Sequence, residues 1–76
     1  MNREEIAAIG VDVGGTKIAA GLVSARGEIL ARQRELIQKG IGDGLTPAKQ
    51  IGAMVSSLSS VARGRRLGVA GCGVAV

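Results

Sequence analysis

Two apolar runs set almost end to end constrain this chain more than any other feature. Ile6 to Val13 is apolar or glycine except for Asp12, Lys17 to Val23 is the same after its first residue, and only Gly14-Gly15-Thr16 separates them. Strand-like runs joined that tightly form a β-hairpin. The glycine pair predicts a turn with positive φ, the backbone state that a twist-compatible two-residue turn uses. Glycine reaches that state at little steric cost and leaves its N–H unshielded.

The residues around the turn carry chemistry. Bare N–H groups at Gly14 and Gly15, with the Thr16 hydroxyl and the Lys17 ammonium, can cradle a phosphate. Asp12 stands where it can hold a hydrated Mg²⁺ beside those phosphates, because Mg²⁺ keeps several waters and accepts few carboxylates. The same string also reads as a plain hairpin turn with Asp12 and Lys17 as solvated end residues, so local chemistry leaves two readings open. Neither a P-loop pattern nor a dinucleotide fingerprint is present at this turn.

Beyond the hairpin the patterns change. From Glu28 to Gln38 the composition favours helix, while the short Ser24-Ala25-Arg26-Gly27 link favours another antiparallel strand. Gly40-Ile41-Gly42-Asp43-Gly44 is a glycine-rich segment that misses the phosphate-loop spacing and reads as a linker. A helix follows, with Thr46 as N-cap and Pro47 at its first position. Its apolar face is Ile51, Met54, Val55, Leu58, Val61 and Ala62, and Gly64 is the expected stop. Ser56, Ser57, Ser59 and Ser60 fall mostly off that face and read as solvated surface, since nothing basic is placed to activate them. The last run, Gly68 to Val76, is apolar or small throughout, as in a strand covered on both faces.

Composition bounds what this chain can do. A domain of 76 residues buries only about 60% of the surface its unfolded chain exposes. With 13 glycines and no aromatic residue, the chain has little from which to build a core, and it reads as the front piece of a larger domain. Cys72 is the one cysteine, which excludes an intrachain disulfide and a four-ligand zinc site; among Gly71, Gly73 and Val74 it reads as a small buried hydrophobe. The absence of histidine excludes imidazole acid–base chemistry. The net charge of +4 is dispersed except at Arg63-Gly64-Arg65-Arg66, where cations suit a helix C-terminus better than a nucleic-acid patch. No secretory signal or membrane span is evident, and the expected location is the cytoplasm.

The string from Ile9 to Val23, Ile-Gly-Val-Asp-Val-Gly-Gly-Thr-Lys-Ile-Ala-Ala-Gly-Leu-Val, resembles the opening of the ROK family of bacterial glucokinase-type sugar kinases and related repressors. The likeness continues through Ser24 to Leu30 and returns at Leu67 to Val74. It implies the actin-like, hexokinase-like (ribonuclease H-like) ATPase fold. Residues 1–76 would then be part of an N-terminal lobe of α/β class, ordered strand-strand-strand-helix-strand, with the Glu28 to Gln38 segment as its third strand. The crossover helix would return the last strand parallel to the sheet, with right-handed connection. By the resemblance, Gly14, Gly15 and Thr16 donate to ATP phosphates, Lys17 adds charge and Asp12 binds Mg²⁺ through water.

Departures from the family limit the implication. Ala75-Val76 stands where the family carries Pro-Gly, and a complete member is several times as long. The general base, the sugar contacts, the zinc site and the adenine pocket of the family have no counterpart here, so the 76 residues alone are expected to be inactive as a kinase and to contain no catalytic residue. Nucleotide and sugar would be the partners of the full-length protein. Two other readings stay open. One is a non-catalytic module that self-associates, or joins a complementary chain, through exposed strand edges. The other is part of a ROK-family transcriptional regulator, although a first strand beginning near Ile6 leaves no room for a DNA-binding domain ahead of it.

Overall fold

The computed structural model describes residues 6–37 and 46–76. The glycine-rich segment from Gly40 to Gly44 lies outside the described residues. Five elements follow one another: strands β1 (Ile6–Val13), β2 (Lys17–Ser24) and β3 (Ile29–Leu36), helix α1 (Pro47–Gly64) and strand β4 (Gly68–Ala75). They form an α/β unit with a four-stranded mixed sheet in the order β3-β2-β1-β4. β1 and β2 pair antiparallel, as do β2 and β3, while β4 lies parallel to β1. The segment that composition left between helix and strand is therefore a strand. The short link before it decides, because Ser24 and Glu28 close the turn through a backbone hydrogen bond of 2.8 Å and the Ser24 hydroxyl accepts from the Arg26 and Glu28 N–H groups. Gly27 takes φ 86° at that turn, where only glycine is unstrained.

Alternation in the strands fixes one face as the core. Ala7, Ile9 and Val11 on β1 and Ile18, Ala20 and Leu22 on β2 are buried against α1, and their neighbours in sequence point to the other face. The helix answers with Met54, Leu58 and Ala62, spaced four apart on one side. The N-cap is as expected: the Thr46 hydroxyl accepts from the Lys49 N–H at 3.2 Å, and Pro47 opens the first turn. The stripe is rotated relative to the expected face. Gln50 is buried at its N-terminal end, whereas Val61 is 38% exposed. Gln50 is tolerated because its Nε2 donates to Leu36 O at 2.8 Å and to Glu35 Oε1 at 3.0 Å, fastening the helix start to the end of β3. Ser57, expected as solvated surface, accepts from Gln33 Nε2 at 2.8 Å and adds a second tie between α1 and β3.

The helix stops at Gly64 as expected, but the device that stops it is different. Gly64 is the last helical residue, but the left-handed position falls on Arg66, at φ 60°. Leu67 N–H donates to Ala62 O at 2.8 Å and Arg66 N–H to Arg63 O at 3.0 Å, the paired bonds of a Schellman stop. Leu67 then packs against the core, and that contact holds a non-glycine residue in a conformation costing about 1 kcal/mol.

β4 corrects another reading. No residue of β4 is buried among the described residues, and Cys72 is an exposed thiol rather than a buried hydrophobe. The buried cluster lies between α1 and the β1–β2 pair, and β4 is at the edge of the sheet, outside that cluster.

Candidate functional site at the first hairpin

The β1–β2 turn is the place where the sequence concentrates phosphate-binding chemistry, and its geometry follows from the register. Val13 pairs with Ile18, which leaves Gly14 and Lys17 as the closing pair of a two-residue loop, Gly15-Thr16. Gly14 N–H donates to Lys17 O at 2.8 Å. Thr16 O accepts from Ile37 N–H at 2.8 Å, so the tip is also anchored to the chain leaving β3. Gly14, Gly15, Thr16 and Lys17 are all exposed.

The reason for the two glycines differs from the expected one. Neither takes a positive φ; Gly27 is the only described glycine that does. At Gly14 the need is a close approach, since a Cβ would stand 3.3 Å from Lys17 O. At Gly15 the described residues impose no need, because a Cβ there would meet nothing within 4 Å. Among the described residues no backbone carbonyl accepts from the Gly15 or Thr16 N–H. Gly15 and Thr16 are exposed, so among the described residues the tip carries two main-chain donors without a backbone acceptor and no side chain on the first, as an anion cradle requires.

Asp12 is exposed near the end of β1 and faces away from the helix. The register sets it opposite Ala19, and Ala19 opposite Arg34, so the three form one row across the bare face of the sheet. The next row is Gly10, Gly21 and Arg32, with Gly73 beyond Gly10 on β4. A shallow groove runs over these rows, with Asp12, Arg32 and Arg34 as its charged lining. Lys17 alternates onto the same face as Ala19 and Gly21. The structure thus brings Asp12 and Lys17 to one face beside the Gly14-Gly15-Thr16 tip. It also adds Arg32 and Arg34, whose part in this surface was hidden in a sequence segment of uncertain type.

Asp12 is one exposed carboxylate, and a largely hydrated Mg²⁺ beside phosphates accepts few carboxylates, so Asp12 could hold such an ion through water. Among the described residues no group of three or more metal-ligating side chains converges. Among the described residues, too, no helix is long and apolar enough to cross a membrane. Comparison of the sequence with protein-family models and with curated proteins returns no match.

Proposed function

We propose that this chain supplies the ATP-phosphate half of a ROK-type sugar kinase site, as part of an actin-like ATPase lobe working in the cytoplasm. Gly15 carries the reading. Among the described residues nothing requires a glycine there, neither its φ nor its surroundings, and no backbone carbonyl accepts from its N–H. A ligand approaching the backbone is a physical reason for that residue. In this reading Gly14, Gly15 and Thr16 donate to phosphate oxygens, Lys17 adds positive charge, and Asp12 orients Mg²⁺ through its water shell. Bound Mg²⁺ would neutralise phosphate charge. Of the other described carboxylates, Glu35 accepts from Gln50 on the helix side and Glu28 sits in the turn at the far end of β2. Neither is placed to deprotonate a sugar hydroxyl beside Asp12, so that base would belong to a complementary lobe.

The test is Gly15→Ala. A methyl group there meets no protein atom, and reduced freedom of the unfolded chain should leave stability unchanged or raise it by about 0.5 kcal/mol. Calorimetric titration of Mg²⁺-ATP should nevertheless show binding weakened about tenfold or more, as expected when a backbone donor is blocked. Unaltered affinity in a folded Gly15→Ala protein would sink the assignment.

A second reading rests on β4. It is an edge strand with all residues exposed, and no charged residue or proline occurs from Leu67 to Val76. Such an edge invites pairing with another strand, as in a module that self-associates. Light scattering coupled to size exclusion separates the two readings. A concentration-dependent dimer lost on Val74→Lys supports pairing, and a monomer at all concentrations rejects it.

A further inference from the structure

The bare face of the sheet is built unlike a merely solvated one. A sheet face turned to water normally carries polar side chains at alternate positions. Here the floor between β3 and β4 is Gly10, Ala19, Gly21 and Gly73, and the only large polar groups lining the groove are Asp12, Arg32 and Arg34. Cβ atoms at Gly10 and Gly73 would meet nothing within 4 Å, so packing among the described residues does not explain the missing side chains. The result is a trough with two guanidinium groups along one wall and a carboxylate at the end nearest the hairpin tip. Among the described residues no other acidic residue lines it.

From this placement we infer that Arg34, supported by Arg32, is an additional phosphate-binding group, one that extends the hairpin site across the open face of the sheet. The inference rests on the reading of the hairpin as a nucleotide-phosphate site. Arg34 and Asp12 share a row with only Ala19 between them, a separation of two strand spacings, about 10 Å. An extended arginine covers most of that distance, and the alanine methyl does not obstruct it. A phosphate chain anchored at Gly15 and Thr16, with its metal at Asp12, would thus lie within reach of the Arg34 fork. Arg32 sits two residues further along β3, about 7 Å away, and meets the same ligand further from the tip. Arginine suits the task because its planar fork binds two phosphate oxygens at once and stays charged at every relevant pH.

The experiment compares Mg²⁺-ATP with Mg²⁺-tripolyphosphate by calorimetric titration of the whole 76-residue chain and its Gly15→Ala, Arg34→Ala and Arg34→Lys variants. Arg34 is exposed on an edge strand, so Arg34→Ala should retain its melting curve, which is recorded as a control. The expected result is a tenfold or greater loss for both ligands in Arg34→Ala, and a smaller loss in Arg34→Lys, which keeps the charge without the fork. Loss for ATP but not for tripolyphosphate would place Arg34 on the nucleoside and overturn the inference. Binding weakened by Gly15→Ala but untouched by Arg34→Ala overturns it while the hairpin reading stands. The reverse pattern overturns the hairpin reading and leaves an arginine-bound anion on the sheet face. A wild-type chain that binds neither ligand ends both.

Discussion

Replacing Leu58 by alanine should lower the unfolding free energy by about 3 kcal/mol and the melting temperature by roughly 15 °C. Leu58 is fully buried, and among the described residues the largest fully buried side chains with it are Ile9, Ile18, Leu22 and Met54. No aromatic ring is present to spread the loss over a larger core. A domain of this size holds a net stability of about 4–11 kcal/mol, so one cavity removes a large share of it. Val61→Ala is the control. Both residues belong to the apolar periodicity of the helix, but Val61 is 38% exposed and its truncation should cost less than about 1 kcal/mol. Thermal melts followed by circular dichroism measure both. Equal small shifts would mean that α1 does not dock on the sheet through the 54–58–62 stripe.

That contrast shows where sequence reading succeeds and where it stops. The hairpin, the helix start at Thr46-Pro47 and the parallel return of β4 were legible because each rests on local chemistry or on a chain-connection rule. The rotation of the helix face was not. Gln50 counts as polar in any periodicity, and its burial becomes acceptable through tertiary partners such as the carbonyl of Leu36 and the carboxylate of Glu35. The left-handed Arg66 was hidden for a similar reason: Gly64 was the obvious stop, yet the position needing positive φ comes two residues later, once Leu67 has turned into the core. Cys72 read as buried because its neighbours are small and apolar, but burial depends on what lies across the sheet, and Cys72 stands on the edge strand β4, outside the buried cluster.

For the candidate site, residue types were legible and their faces were not. Asp12, Gly14, Gly15, Thr16 and Lys17 are adjacent in sequence and could be named together. That Asp12 and Lys17 share a face with Arg34 follows only from register, which pairs Asp12 with Ala19 and Ala19 with Arg34. The glycines show the limit most clearly. A rule about turns explained both by positive φ, whereas one is needed for a close approach and the other is left without an internal cause.

Asp12→Ala provides the sharpest test of the metal role, because the two readings of this residue predict opposite signs. If Asp12 is only a solvated end residue, its negative charge repels any phosphate bound at the tip. Removing it would then strengthen ATP binding whether or not Mg²⁺ is present, by about 1 kcal/mol for unit charges some 7 Å apart at a solvent-exposed site. If Asp12 orients hydrated Mg²⁺, the effects separate. Without Mg²⁺, Asp12→Ala should bind ATP several-fold more tightly than the unmodified chain. With Mg²⁺, it should bind about tenfold more weakly, because the cation loses its protein partner while Lys17 and Arg34 remain. The change should leave the fold alone, since Asp12 is exposed and surface substitutions of this kind shift stability by about 0.5 kcal/mol or less. Paired titrations with Mg²⁺ and with a chelator decide the matter. Tighter binding under both conditions would remove Asp12 from the metal site and leave the hairpin as an anion cradle without one.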